Sequence, residues 1–298
     1  MPKPITVLVA GATGRQGGAV ARLLLEKGHR VRALTRQPGS QASAALHVLG
    51  AEIFEADLDD EKAVQRAAEG VDAFFLVATP FEEGVVAEAR QGRRAADAAK
   101  KAGVKHLVYS SAAGADRSTG IPHFESKREV ERHIEALGLA YTIVAPVFFM
   151  ENLLGPGFVD GLRAGKLSMP LPPSRKLQMV AVADIAGFVR LVVERPSELA
   201  GKRIDIASDS LTGPEVAEVL AHATGSGLDY SAAPLAAVRA RSEDLARMWE
   251  WLERAGYDAD IEALRRDHPD AGWHDLRRWA REQDWSVLDA ASSGQPTA

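Results

Sequence analysis

The chain has no cysteine. Disulfide scaffolds, thiolate catalysis, cysteine-ligated zinc and iron–sulfur clusters are therefore excluded. Long hydrophobic runs are also missing. The first apolar stretch, residues 5–10, ends at once in glycines, and nothing later approaches the ~20 residues of a membrane span. An excess of one charge is lacking as well: 36 basic residues stand against 41 acidic ones, for a net charge of -5. This balance speaks against direct nucleic-acid binding. The basic doublets, such as Arg93-Arg94 and Arg277-Arg278, lie close to acids and read as solvated helix faces. His29, His47, His106, His133, His222, His268 and His274 show no metal-ligand spacing, so no metal site is expected. With no membrane signal, the expected location is cytoplasmic.

What is present is an ordinary globular composition, 46% hydrophobic and 26% charged over 298 residues. That suffices for one large domain with an appended lobe. Short apolar runs at 5–10, 31–35, 52–55, 73–77, 107–110 and 141–145 alternate with helical patterns at 17–27, 43–49, 61–68, 84–102 and 123–137. Mostly apolar strands alternating with helices predict an α/β fold, a doubly wound parallel Rossmann sheet covered on both faces. Near residue 146 prolines break the rhythm. Residues 1–152 are expected to form the Rossmann domain, with 176–208 returning to it. Residues 153–298 are expected to form a smaller mixed α/β lobe, mostly helical from 242. The stretch 153–174, rich in glycine and proline, reads as a bent loop.

The sharpest motif is Gly11-Ala12-Thr13-Gly14-Arg15-Gln16-Gly17-Gly18, between the first strand and the first helix. Gly11 permits a tight turn, Gly14 lets backbone approach a pyrophosphate, and Gly17 lets the helix pack closely on the strand. The spacing is G-x-x-G-x-x-G. A turn without a ligand is the alternative, but the strand–turn–helix context favours a dinucleotide site that includes Thr13, Arg15 and Gln16. At the end of the second strand, where NAD-selective sites place an acid, stand Thr35 and Arg36. A guanidinium there suits a 2′-phosphate, so NADP(H) is expected to bind more tightly than NAD(H). The alternative for Arg36 is a solvated loop residue. Asp57 and Leu58 follow the third strand and suit an adenine, although Asp57 can equally cap the next helix. Ala78 and Thr79 follow the fourth, again at a strand's carboxyl end.

Pro122-His123-Phe124-Glu125-Ser126-Lys127 opens a helix. His123 and Lys127 share a face headed by the apolar seam Val130, Ile134 and Leu137. A lysine there needs a polar or anionic partner, such as a cofactor ribose, or else snorkels to solvent. Phe148 and Phe149, just past the sixth strand, suit a nicotinamide pocket or plain core; Phe148 is taken as a cofactor contact.

These motifs resemble the short-chain dehydrogenase/reductase superfamily in its atypical branch, and more closely the NmrA-like family. The closer likeness rests on Gly11-Ala12-Thr13-Gly14, Arg36, His123-Phe124-Glu125-Ser126-Lys127, residues 146–154, Val182-Ala183-Asp184-Ile185 and the segment 244–261. The resemblance implies a lysine on the nicotinamide ribose, here Lys127, and a serine near Ser110 or Ser111, with Ala112 as another register. Ser111, His123 and Lys127 are the catalytic candidates. It also implies a tyrosine acid four residues before the lysine, and here that position holds His123. An imidazole donates a proton only when charged, which a neighbouring ammonium opposes. Keeping the cofactor grip while losing the acid suggests a redox-sensing regulator that acts by contact with a protein partner. The alternative is an NADPH-dependent reductase of quinones or other small carbonyl or aromatic substrates.

Overall fold

The computed structural model describes residues 3–289. In chain order the strands are β1 (Thr6–Val9), β2 (Arg30–Thr35), β3 (Glu52–Glu55), β4 (Ala73–Leu76), β5 (His106–Ser110), β6 (Tyr141–Pro146), β7 (Phe148–Phe149), β8 (Lys166–Met169), β9 (Lys176–Val180), β10 (Lys202–Ile206), β11 (Asp209–Thr212) and β12 (Asp229–Ala232). The helices used below are α1 (Arg15–Glu26), α2 (Gln41–Val48), α3 (Glu61–Ala68), α4 (Pro80–Glu83), α5 (Val85–Lys101), α6 (Pro122–Ala136), α7 (Pro156–Arg163) and α8 (Val182–Glu194).

The chain divides into two compact units. Among the described residues the first comprises 3–147, 182–206 and 259–272. Its sheet has seven strands in the order β10-β6-β5-β4-β1-β2-β3, all paired in parallel. The strand order reverses between β1 and β4, which makes their carboxyl ends the natural ligand crevice of such a sheet. β4 and β5 are buried along their whole length, as inner strands covered on both faces must be. On one face α3, α5 and α6 close a core that includes Phe74, Leu76, Tyr109, Val130 and Ile134. The α5 side of that core is mostly alanine, so the helix lies close beneath the sheet. Gly92 takes this further: a Cβ there would stand 2.6 Å from Val130 of α6.

Local signals set the helix starts. Ser40 and Asp60 accept hydrogen bonds from the third residue onward, Ser43 N at 3.2 Å and Ala63 N at 3.0 Å, each satisfying an otherwise orphan N–H. Pro122 occupies the first turn of α6, where a missing N–H does no harm. Gly84 separates α4 from α5, and its φ of 86° suits glycine alone. The sequence pattern reads one helix over 84–102 and misses α4, whose four residues give no period.

The second unit comprises 148–181, 207–258 and 273–289 among the described residues. It holds a three-stranded sheet, β11-β9-β7, and the parallel pair β12-β8. Three expectations are corrected. Residues 176–181 do not return to the first unit, since β9 pairs with β11 and β7; the return begins at α8. Residues 259–272 leave the second lobe for the first unit, where residues 269–271 pack so closely on α8 that a Cβ at Gly187 would overlap the Ala271 carbonyl. The bent loop expected over 153–174 is largely regular. α7 starts at Pro156, buries Val159 and Leu162, and is followed by β8. Its glycines serve packing and turns, with Gly161 against the Lys166 carbonyl and Gly165 at a φ of 73°. No helix among the described residues is long and apolar enough to cross a membrane.

Candidate functional site

The glycine loop leaves β1 at the point where the strand order reverses. Gly11 adopts a φ of 59°, and a Cβ on it would meet the Val77 side chain at 3.0 Å, so the turn sits tightly against the end of β4. The Gly14 N–H closes the turn onto the Gly11 carbonyl at 2.9 Å. Gly17 is the most constrained: its Cβ would fall 2.6 Å from the Ala10 carbonyl oxygen and closer still to Gly11. Helix α1 can therefore start where it does only without a side chain at Gly17. Gly14 is its N-cap, and no side chain caps the helix. Thr13, Gly14 and Arg15 are exposed there, and such a helix start suits a phosphate by its N–H groups and dipole. Gln16 turns its amide oxygen to Ser110 at the end of β5, which donates to it at 2.7 Å.

The β2 end carries Thr35, buried, and Arg36, exposed. Thr35 Oγ1 accepts from Gln37 N at 3.0 Å and fixes the turn. Arg36 pairs with Glu82 of α4 and lies 3.7 Å from Glu83. The Glu82 hydrogen bond, reinforced by the charges of Asp57 and Glu83, pushes the guanidinium above its ordinary value. After β3, Asp57 does not cap α3. Its carboxylate accepts from Asp59 N at 2.8 Å, and Asp60 supplies the cap. Leu58 is partly buried against the core.

Beside them Arg90 forks onto Asp59 through two hydrogen bonds of 2.7 Å. That fork, with Gln91 and Arg94, holds the Asp59 carboxyl down to about 2 from an ordinary 3.8. Because the folded value is depressed, its stabilisation is complete above pH 4 or so and vanishes as the pH falls through about 2. Asp59→Asn should cost about 1 kcal/mol at neutral pH. In denaturant titrations across pH it should also flatten the stability curve between roughly pH 4 and 2. A curve parallel to the parent's would contradict this.

The polar partner that a lysine on this helix face needs comes from α5 and the β4 end. Lys127 Nζ donates to Glu88 at 2.7 Å and to the Ala78 carbonyl at 3.3 Å. Glu88 is fully buried on α5 and also accepts from the Ser126 hydroxyl. Lys127 is thus held at the β4 end, next to Ala78, with its side chain 12% exposed. An ammonium has three donors and two are used. Glu88 stands inside an alanine-rich helical pattern, where a lone acid gives no signal of its own.

Ser110 and Ser111 face different partners. Ser110 meets Gln16, and Ser111 donates to Glu131 of α6. Glu131 is fully buried and also binds Arg128 and Arg203, while Ala112 gives its carbonyl to Arg203 at 2.9 Å. Tyr109 of β5 is fully buried and feels both carboxylates, and its hydroxyl has no hydrogen-bond partner. Burial, with the charges of Glu88 and Glu131, pushes that phenol well above its ordinary value. His123 is buried, edge-on to Phe124 at 4.8 Å and tilted toward Phe81 at 6.4 Å. Thr79 is exposed and caps α4. Phe148 belongs to the second unit, where its ring packs on Phe158 and Trp249 at 6.4 and 5.9 Å. Among the described residues no group of three His, Asp or Glu is placed to hold a metal ion.

The first unit thus gathers Gly11, Gly14, Gly17, Ala78 and Lys127 around the β1 and β4 ends, with Arg36 and Asp57 at the β2 and β3 ends. Solved structures share the fold. A negative transcriptional regulator, NmrA, solved with NADP and with NAD, superposes at TM-score 0.78 with 22% identity, covering 94% of this chain and 95% of that one. An NADPH-dependent quinone oxidoreductase of Escherichia coli, complexed with NADPH, does so at 0.78 with 24% identity, covering 92% and 98%. An NAD(P)H azoreductase of Xenophilus azovorans is 32% identical over 231 residues, 77% of each chain. The model of the NmrA-like family matches residues 3–280, and the chain belongs to that family.

Proposed function

We propose that the chain is an NADP(H)-binding oxidoreductase. Its hydride acceptor needs no acid from the protein, as with quinones, azo groups and other conjugated electrophiles. The observation that carries this reading is the arrangement at the β4 end. Lys127 is fixed by Glu88 and Ala78 with a donor to spare, and beside it stands His123 rather than a phenol. The glycine cradle fits the cofactor: a side chain at Gly17 would destroy the helix start that receives a pyrophosphate. The family relative that reduces azo compounds supports the acceptor class.

A bound reduced nicotinamide supplies a hydride. The protein's part is to hold and orient. The α1 start receives the pyrophosphate, Arg36 the 2′-phosphate, and Asp57 the adenine amino group. Lys127 holds the nicotinamide ribose through its remaining donor. Ser111 is engaged by Glu131 and Lys127 by Glu88, so neither is set as a proton donor. A quinone reduced here takes its proton from water. The same lack of an acid favours a second reading, a cofactor-responsive regulator that contacts a protein partner.

In fluorescence titrations Lys127→Met should weaken NADPH binding about tenfold or more, for loss of a charge-assisted hydrogen bond. His123→Ala should leave binding within about twofold, because the ring packs on Phe124 and Phe81 and the ribose is assigned to Lys127. Absorbance of NADPH mixed with a panel of quinones and azo dyes tests turnover. Consumption that survives His123→Ala supports the reductase. No consumption with tight binding overturns it in favour of the regulator. Activity abolished by His123→Ala in a folded protein would make His123 the acid and contradict the acceptor argument.

A further inference from the structure

We propose that Glu82 is a determinant of cofactor choice: it competes with the 2′-phosphate for Arg36 and so limits the preference for NADP(H) over NAD(H). This rests on the reading that Arg36 receives that phosphate. The strand end Thr35-Arg36 lacks the acid that ordinarily accepts from the ribose 2′-hydroxyl. The structure returns an acid to the same place from another element. Glu82 of α4 pairs with Arg36, Glu83 lies 3.7 Å from it, and Asp57 adds negative field. Arg90 is forked onto Asp59 and also lies 3.7 Å from Glu83, so it offsets part of the Glu83 charge and leaves Glu82 to Arg36.

The placement of Glu82 is built into the chain. Thr79 caps α4 by accepting from Phe81 N, Pro80 opens the helix, and Gly84 ends it. The carboxylate is therefore tethered to the end of β4 and leans across to the end of β2. The two cofactors meet this pair differently. A phosphate dianion must displace Glu82 from the guanidinium and then sit among carboxylates. A 2′-hydroxyl can donate to Glu82 while Arg36 keeps its partner. Glu82 thus weakens one cofactor and helps the other. Both Arg36 and Glu82 are half exposed, so the competition is modest in size and substitution there leaves the core intact.

Calorimetric titration of NADP+ and NAD+ into the parent, Glu82→Gln and Arg36→Ala tests the idea. Glu82→Gln should tighten NADP+ about two- to fivefold, the range of an exposed ion pair. NAD+ should weaken or stay within about twofold. Both cofactors are anions, so the ratio of their affinities removes the general effect of lost negative charge. Adenosine 2′,5′-bisphosphate against AMP should repeat the shift without the nicotinamide. An unchanged ratio in Glu82→Gln, with NADP+ weakened by Arg36→Ala, overturns this inference and leaves the role of Arg36 standing. If Arg36→Ala leaves NADP+ affinity as in the parent, or neither cofactor binds the parent, the reading of Arg36 fails and this inference with it.

Discussion

Gly17→Ala should abolish measurable NADP(H) binding and lower the stability of the first unit by about 2–3 kcal/mol, the usual upper range for overpacking. A methyl group at Gly17 points into the Ala10 and Gly11 carbonyls. These are backbone atoms, fixed by the Ala10 N–H on Phe75 and by the Gly14 N–H on the Gly11 carbonyl. No rotamer change relieves the overlap, so α1 or the loop must shift. Either shift moves the helix start away from the phosphate position. Gly14→Ala is the internal comparison, because its Cβ would meet the Gly11 oxygen at 3.2 Å and needs only a small adjustment. Thermal unfolding with and without NADPH separates the two effects. Parent-like affinity and Tm in Gly17→Ala would show that the loop does not set the site.

Glu88→Ala is the second large effect. Removing one member of a buried ion pair leaves its partner uncompensated and typically costs about 3–5 kcal/mol. Here the Lys127 ammonium would keep only the Ala78 carbonyl, and the Ser126 hydroxyl would lose its carboxylate. NADPH affinity should fall as well, because the lysine is no longer held at the β4 end. The double variant Glu88→Leu with Lys127→Met separates position from stability. Replacing a buried pair by apolar groups is often neutral, so most of the stability should return while the affinity should not. If the affinity returns together with the stability, the pair is structural and Lys127 has no part in binding.

The sequence reveals those parts of the fold that repeat with a period or demand a special backbone. The alternation of apolar runs with helices reads out directly, since inner strands such as Ala73–Leu76 are buried on both faces. The glycine loop reads out because a turn, a close approach and a helix contact each require glycine at a known spacing. The second unit is far less legible. β7, β11 and β12 have two to four residues, too short for alternation to be seen. The return of 259–272 depends on a contact between Gly187 and Ala271, far apart in the chain. At the site, Lys127 can be recognised by its spacing from Pro122 and His123, but Glu88 cannot. Its meaning comes from the packing of α5 on α6, made close by Gly92 and Val130. Arg36 is legible as a cation at a strand end. That Glu82 neutralises it follows only from where α4 turns.

The most direct test of the central claim is a crystal structure of the protein grown with NADP+. The pyrophosphate should lie at the start of α1 over Gly14, the 2′-phosphate on Arg36 with Glu82 displaced, and the nicotinamide ribose within hydrogen-bond reach of Lys127. A dinucleotide bound away from the β1 and β4 ends, or a 2′-phosphate that does not touch Arg36, would contradict it.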